Sequence, residues 1–307
     1  MTRYPMRLIP IPRSMIWGGD RLKTKFNKPF SIDSVGESWE LTVRPEAQSV
    51  IANGIYSGNR LCDILDTGDS FPLLIKFIDA HDDLSVQVHP DDNVTDGNGT
   101  PLGKTEMWYI IDADKDSHII YGLSDGVSVE EFEENVRMGD FSSGMKKVPV
   151  NPGDCFFIPA GQVHAICKGI LLAEIQQNSD TTYRLYDYDR TDKNGNRREL
   201  HVDKALNVIK AFSETDIYNL RYSNGIEDNC LADCDKFKCC KYTATKTTPI
   251  SITANDRFIS LVFTAGSGKI LFNNESYPAL AGDTYFIPEG ITVNVTGELT
   301  FLYAKPN

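Results

Sequence analysis

The sequence predicts a mainly β protein, built as two related units of the sandwich or barrel kind with a few short helices. Short apolar runs rich in β-branched and aromatic residues recur along the chain and are bounded by Gly, Pro, Asn and Asp. One twelve-residue pattern also occurs twice. The chain has 307 residues, of which 41% are hydrophobic, and this is enough for one large or two moderate cores.

The strands are expected where these apolar runs lie. The segments with strand composition are 71–78, 84–88, 107–111, 155–158, 170–175, 182–186, 258–263, 284–287 and 299–303. Each is short and bounded by turn residues, a pattern that indicates β structure of the sandwich or barrel kind.

Three helices are expected between the strands, over 61–65, 128–138 and 202–212. The second has the clearest start, because Ser128 and Glu131 have the spacing of a capping box ahead of an apolar face. The third places its apolar residues on one face. It lies where a connector between two units would be useful.

The repeat supports two units of shared architecture. Residues 153–164 and 282–293 are identical at six of twelve positions, and both open with Gly-Asp and close a strand with Pro-x-Gly. The last position differs, since His164 of the first copy corresponds to Val293 in the second. After the third helix the composition shifts to a Ser, Thr and Asn-rich β pattern, which places a boundary near residue 215. We therefore expect a catalytic, metal-binding unit over 1–215, including the connector helix, and a smaller metal-free β unit over 216–307.

Charge and cysteine usage exclude several classes of function. The formal net charge of −12 argues against binding nucleic acid or an anionic membrane, because both are polyanions. The first seventeen residues lack the continuous apolar segment of a secretory signal, and no stretch has the length of a membrane span. Seven scattered cysteines favour reduced thiols and a cytoplasmic protein.

Four separated polar residues form a candidate metal site. Strand alternation puts Gln87 and His89 on one face, Glu106 begins the next strand, and His164 follows a Pro-x-Gly turn. Two imidazoles, a carboxylate and an amide oxygen suit Zn²⁺, with Fe²⁺ or Mn²⁺ also allowed by ligand type. A single histidine on a strand is more often a hydrogen-bonded core or surface residue, so the hypothesis rests on the joint spacing.

These motifs resemble those of the cupin superfamily. Segment 153–164 has the form Gly-x5-Pro-x-Gly-x2-His of the second cupin motif, and Gln87 with His89 and Glu106 resembles the first, with Gln in place of its usual first His. The resemblance implies two barrels of the jelly-roll, or double-stranded β-helix, type.

A closer resemblance is to type I mannose-6-phosphate isomerase in its short bacterial form. Five segments carry it: 16–19 (Ile-Trp-Gly-Gly), 87–92 (Gln-Val-His-Pro-Asp-Asp), 103–108 (Gly-Lys-Thr-Glu-Met-Trp), 159–165 (Pro-Ala-Gly-Gln-Val-His-Ala) and 174–190 (Glu-Ile-Gln-Gln-Asn-Ser-Asp-Thr-Thr-Tyr-Arg-Leu-Tyr-Asp-Tyr-Asp-Arg). The last segment is the most specific. The chain departs from the eukaryotic forms in having no room for their long helical insertion, and in Ile166, where they carry Tyr.

The resemblance implies one zinc ion at Gln87, His89, Glu106 and His164, with Arg184 as the catalytic arginine. It also implies a phosphorylated hexose as substrate, and interconversion of mannose 6-phosphate and fructose 6-phosphate through an enediol. Such chemistry needs an acid–base group and a charge that stabilises the developing oxyanion.

Four charged residues are further candidates for this site. Arg184 is expected to stabilise the enediolate or position the sugar, the alternative being an arginine packed on surface tyrosines. Lys104 shares a side with Glu106 and is expected to contact substrate or assist proton transfer, unless it is a solvated loop lysine. Lys76 and Glu174 lie in apolar strands, as substrate-binding and catalytic candidates respectively, or as a structural ion pair.

Two other functions remain open from the sequence. The ligand types permit a cupin oxidoreductase that uses Fe²⁺ and dioxygen, and the fold permits a non-catalytic sugar-binding module. The cysteines at 230, 234, 239 and 240 fit no standard zinc scheme and are expected to be free thiols. The sequence leaves the oligomeric state open, a monomer included.

Overall fold

The protein is mainly β, as predicted, in a computed structural model that describes residues 1–65, 71–192 and 194–307. The strands are β1 (Met6–Ile9), β2 (Ile11–Arg13), β3 (Glu37–Leu41), β4 (Val43–Arg44), β5 (Ala47–Gln48), β6 (Val50–Ile51), β7 (Leu73–Ala80), β8 (Val86–Val88), β9 (Glu106–Ala113), β10 (His118–Leu123), β11 (Met145–Pro149), β12 (Cys155–Ile158), β13 (His164–Ile166), β14 (Ile170–Gln177), β15 (Tyr183–Tyr186), β16 (Cys230–Asp233), β17 (Phe237–Ala244), β18 (Ile250–Thr253), β19 (Ile259–Phe272), β20 (Glu275–Leu280), β21 (Thr284–Ile287) and β22 (Thr292–Pro306). The helices are α1 (Arg21–Thr24), α2 (Leu61–Leu65), α3 (Val129–Arg137), α4 (Val202–Leu206) and α5 (Glu214–Arg221), with a 3₁₀ turn at Gly54–Tyr56.

Two antiparallel sheets form the first half of the fold. One has the order β12-β9-β14-β7-β3-β2 and the other β11-β10-β13-β8-β15. Buried side chains of both sheets, such as Trp108 on one and Ile166 on the other, belong to one apolar cluster, so the sheets face each other. Within the described residues no strand pairing joins these two sheets, and they form a sandwich that is not closed into a barrel.

The second half is organised around one large sheet. Its order is β16-β17-β22-β19-β21-β1-β6, with β18 on β22 and β20 on β19. The N-terminal strand β1 joins this sheet through Met6, which lies opposite Phe286 of β21. The boundary near residue 215 stays a prediction. The pairing of β1 with β21 joins a strand from one side of it to a strand from the other.

The sequence repeat has the same backbone shape in both copies. Strands β12 and β21 each follow a glycine with a positive φ, +97° at Gly153 and +92° at Gly282. The Pro-x-Gly turns that end them also have positive φ, +96° at Gly161 and +83° at Gly290. The first copy therefore delivers its final residue, His164, at the start of β13.

The predicted helices were partly right. The helix at 61–65 is α2, and α3 begins after Ser128, whose side chain accepts a hydrogen bond from the Glu131 backbone N–H. The helix predicted over 202–212 is wrong in length, because α4 ends at Leu206. The backbone N–H of Lys210 donates instead to the Gly161 carbonyl, which draws this segment against the turn before His164.

Two helices were not predicted, α1 and α5. Helix α5 has a reciprocal capping box between Ser213 and Asp216, a signal that the sequence carries at the expected spacing. No helix among the described residues is long and apolar enough to cross a membrane.

Candidate active site

Three of the four predicted metal ligands converge between the two facing sheets. The Glu106 carboxylate lies 3.5 Å from His89 Nε2 and 3.6 Å from His164 Nε2. All three side chains are buried, and their donor atoms lie within 4.8 Å of one another. Because Glu106 starts β9 and His164 starts β13, the site joins one sheet to the other.

Backbone carbonyls fix the tautomers of both imidazoles. His89 Nδ1 is 2.8 Å from the Thr181 carbonyl, and His164 Nδ1 is 2.9 Å from the Gln162 carbonyl. A carbonyl only accepts, so each Nδ1 donates and each Nε2 presents a lone pair toward Glu106. This is the arrangement that metal-binding histidines use.

The fourth predicted ligand, Gln87, is beside the other three. It pairs with His164 across β8 and β13, and its amide nitrogen lies 3.3 Å from His164 Nε2. The oxygen and nitrogen of a side-chain amide are nearly interchangeable in shape. A half-turn of the Gln87 amide group therefore directs its oxygen toward the group formed by His89, Glu106 and His164.

The charge states at this centre fit a cation. Burial lowers the pKa of His164 to about 4 and holds the pKa of His89 well below its ordinary value, so both rings are neutral and able to ligate. Burial and the nearby Glu174 raise the pKa of Glu106 to about 7, and Lys104 offsets part of that rise. Two neutral imidazoles beside a desolvated carboxylate are a donor set suited to a divalent ion.

Lys104 supplies the nearest positive charge. Its ammonium contacts the Glu106 carboxylate and lies 3.1 Å from His89 Nε2. The side chain is only 4% exposed, so Lys104 is not a solvated loop lysine.

A line of alternating charges leads away from Lys104 between the sheets. Glu174 Oε1 lies 4.0 Å from Lys104 Nζ and 3.2 Å from Lys76 Nζ, and Lys76 also approaches Glu37 at 3.7 Å. Trp108 Nε1 donates to Glu174 at 3.1 Å. Burial alone would raise the pKa of Glu174, but Lys104 and Lys76 outweigh it and the pKa is lowered. The structural ion pair between Lys76 and Glu174 is thus present.

The same charges line a cavity of about 370 Å³. Five predicted site residues reach its wall: Lys76, Gln87, Lys104, Glu174 and Arg184. The remaining lining residues are Met15, Trp17, Glu37, Ile78, Leu84, Ser85, Ile166, Asp180, Thr182 and Arg198. A volume of this size accommodates a small ligand, and the wall combines charged side chains with apolar ones.

Arg184 enters the cavity from β15. Its Nε lies 3.2 Å from Ser85 Oγ and donates to it, and one terminal nitrogen donates to the Glu199 carbonyl at 2.7 Å. Within the described residues Arg184 forms no ion pair with a carboxylate. Burial and the neighbouring Arg198 lower the pKa of Arg184. Its guanidinium therefore brings positive charge to the cavity without a direct carboxylate partner among the described residues.

The sequence did not single out every cavity residue. Asp180 and Thr182 lie inside segment 174–190, so position in that segment was a usable signal. Glu37 is a charge in a buried strand, the same signal that pointed to Lys76. Arg198 lies in a polar stretch with no pattern that marks it.

Other residues considered in the sequence lie elsewhere. His81 and His118 line a separate cavity of about 480 Å³, which is larger but contains no member of the His89, Glu106 and His164 group. The seven cysteines are free thiols, as expected.

The comparisons with known proteins identify the family of this chain. The family described as "Phosphomannose isomerase type I, catalytic domain" matches residues 6–115. The chain is 39% identical to mannose-6-phosphate isomerase ManA of Bacillus subtilis over 305 residues, covering 95% of each chain. It is 37% identical to a mannose-6-phosphate isomerase of Streptococcus mutans over 303 residues, again covering 95% of each.

Solved structures of similar proteins have the same fold. The crystal structure of mannose 6-phosphate isomerase from Bacillus subtilis superposes with a TM-score of 0.88 at 33% identity, covering 98% of this chain and 99% of that one. A putative mannosephosphate isomerase from Archaeoglobus fulgidus gives a TM-score of 0.74 at 19% identity, covering 100% and 99%, and this similarity shows the fold alone.

Proposed function

We propose, because the chain belongs to the type I phosphomannose isomerase family, that it interconverts mannose 6-phosphate and fructose 6-phosphate. The observation that carries the proposal is the convergence of His89, Glu106 and His164 beside a cavity lined by Lys104, Glu174 and Arg184. The reaction moves one proton between two adjacent sugar carbons and one between their oxygens. It needs no redox partner.

We assign one Zn²⁺ to Gln87, His89, Glu106 and His164. The donor types suit zinc, and four protein donors still leave room to expand the coordination to substrate. When bound, the ion would act as a Lewis acid toward the sugar oxygens and favour the negative charge of the enediolate.

Lys104 and Glu174 are the residues that we assign to proton transfer. They face each other across 4.0 Å at the cavity wall, one a donor and the other an acceptor. The carboxylate can take a proton from one sugar carbon and return it to the next, while the ammonium can exchange a proton with the sugar oxygens. Lys76 keeps the Glu174 carboxylate oriented through their 3.2 Å contact.

Arg184 and Arg198 are suited to the anionic parts of the substrate. The net charge of −12 repels a sugar phosphate, so local cations must attract it. Arg184 has no carboxylate partner among the described residues, and Arg198 lines the same cavity while Asp187 holds its Nε at 2.8 Å. We assign Arg184 to the developing oxyanion and to substrate placement, and Arg198 to the phosphate.

Replacing Arg198 by Met is expected to raise the KM for mannose 6-phosphate with little change in kcat. A charge-assisted hydrogen bond contributes about 1.5–3 kcal/mol, which corresponds to an increase of about 10-fold to 100-fold. Arg197→Met is the control, because Arg197 pairs with Asp189 and is 66% exposed. Equal KM values for the two variants would remove Arg198 from the phosphate site.

Replacing Arg184 by Ala is expected to lower kcat/KM by about 10²-fold or more, the effect of losing one donor to an oxyanion. Steady-state kinetics with metal content measured on the same sample checks this. Near-normal turnover with metal bound would show that Arg184 is not catalytic.

A coupled assay tests the whole proposal. Fructose 6-phosphate should form from mannose 6-phosphate, activity should disappear with a chelator, and Zn²⁺ should restore it. The two alternatives predict other results: an iron oxidoreductase would consume dioxygen, and a sugar-binding module would show no chelator-sensitive turnover. Neither alternative accounts for the family relationship across 95% of the chain.

A further inference from the structure

We propose that Asp92 is a positioning residue for the Lys104–Glu106 segment, and that Lys236 supports it from the C-terminal half of the chain. The proposal deepens the proposed function, because it explains how two site residues are held in place. Asp92 itself does not line the cavity that contains Lys104 and Glu174.

Gln177 holds the backbone of Thr105, the residue between Lys104 and Glu106. Its backbone N–H donates to the Gln177 side-chain oxygen at 2.8 Å, and its carbonyl accepts from the Gln177 backbone N–H at 3.1 Å. Both polar backbone groups of Thr105 are therefore bonded by one residue at the end of β14. The neighbouring side chains, an ammonium and a carboxylate, are oriented by that anchor.

Asp92 in turn orients the side-chain amide of Gln177. Its Nε2 donates to Asp92 Oδ1 at 3.1 Å. An ionised carboxylate only accepts, so Asp92 selects the orientation in which the amide oxygen faces the Thr105 N–H. Without Asp92 the amide could turn its nitrogen toward that N–H, and the hydrogen bond would be lost.

The loop before Lys104 is built around the same carboxylate. A Cβ on Gly103 would lie 1.9 Å from Asp92 Oδ1, so only glycine lets the backbone pass this close. The Lys104 backbone N–H donates to the Pro90 carbonyl at 3.1 Å, which ties the segment to the stretch that contains Asp92.

Asp92 also forms an ion pair with Lys236, which lies in the C-terminal half of the chain. Lys236 Nζ lies 2.9 Å from Asp92 Oδ2, the oxygen farther from Gln177. The two side chains are 29% and 39% exposed, so water weakens this ion pair and its effect should be smaller than that of Asp92. The pair nevertheless links the segment before β17 to the stretch that carries His89.

The contacts that run from Lys236 through Asp92 and Gln177 to Thr105 form a relay, and breaking it should change the site in a specific way. Lys104 and Glu106 would sample more orientations without losing any contact of their own. Loss of such an outer contact weakens metal binding by about 10-fold to 100-fold. Because catalysis needs both side chains in place while substrate binding draws on other groups, kcat should fall more than KM changes.

The experiment compares relay variants with a matched ion pair elsewhere. The relay variants are Asp92→Ala, Asp92→Asn, Gln177→Met and Lys236→Met. The control is Asp112→Ala, since Asp112 pairs with Lys25, is 37% exposed and lies at the opposite end of β9 from Glu106. The measurements are Zn²⁺ affinity by competition with a chelating dye, kcat and KM for mannose 6-phosphate, and the unfolding temperature of the metal-free protein.

We expect Asp92→Ala and Gln177→Met to weaken Zn²⁺ binding by about tenfold or more and to lower kcat, whereas Asp112→Ala does neither. Asp92→Asn keeps an oxygen for the Gln177 amide and should restore part of the loss, and Lys236→Met should have a small effect in the same direction. If Asp92→Ala and Asp92→Asn bind Zn²⁺ and turn over like Asp112→Ala, the proposal is wrong. If Asp92→Ala fails to fold, Gln177→Met and Asp92→Asn decide. Wild type that binds Zn²⁺ without isomerase activity would contradict the proposed function, while the affinities would still test the relay.

Discussion

Replacing His164 by Leu is expected to abolish metal binding and to lower kcat/KM by about three orders of magnitude or more. Leucine keeps much of the side-chain volume and removes the Nε2 lone pair that faces Glu106. Lewis-acid stabilisation is worth several kcal/mol, and each 1.36 kcal/mol is tenfold in rate. The measurements are metal content by elemental analysis and steady-state kinetics on the same preparation.

The matched control for this variant is His118→Leu. His118 lies in the separate cavity and belongs to no group of potential ligands found among the described residues. The His118→Leu variant should bind one ion per chain and retain turnover. If His164→Leu retains both metal and turnover, the proposed metal centre is wrong, whatever the behaviour of the control.

Replacing Glu174 by Gln is the second change with a large expected effect. Positioned acid–base groups contribute about 10²-fold to 10⁴-fold, so kcat should fall within that range. The amide keeps the shape of the side chain and can still accept from Trp108, but it cannot take a proton from the sugar. Metal content should be unchanged, because Glu174 is not among the assigned ligands.

Stability separates this role from a purely structural one. Glu174 forms a buried ion pair with Lys76, and breaking a buried pair from one side is destabilising. Lys76 retains Glu37 at 3.7 Å, so the folded variant should persist. A variant with reduced unfolding temperature and unchanged kcat would show that the pair is structural. We expect the opposite result, in which kcat falls strongly and the unfolding temperature changes less.

The part of the site that could be predicted from the sequence is the part carried by local patterns. Alternation through β8 to the residue that follows it, and a Pro-x-Gly turn, bring Gln87, His89 and His164 together, and both features are visible in the residues. Glu106 starts β9 as predicted. The assignment of these four residues to a metal stays a prediction, but their convergence is a property of the fold.

The part that could not be predicted depends on contacts distant in the chain. Arg198 reaches the cavity because Asp187 holds its guanidinium, and Lys236 reaches Asp92 across 144 positions of sequence. No periodicity encodes such contacts. They are selected when the sheets pack.

The error in the third predicted helix has the same origin. An apolar face over 202–212 favours continuing the helix, but α4 ends at Leu206. The backbone of Lys210 bonds the Gly161 turn, and its ammonium lies 2.8 Å from Asp91. Tertiary contacts with the turn before His164 therefore override local helix propensity.

One divalent ion, held by Gln87, His89, Glu106 and His164, is expected to be required for turnover. The most direct test is to strip the purified protein with a chelator, titrate Zn²⁺ back, and follow bound metal and fructose 6-phosphate formation in the same samples. Activity should be lost on stripping and return in proportion to bound metal, with an endpoint of one ion per chain. Full turnover in protein that holds no metal would show that the ion is not required.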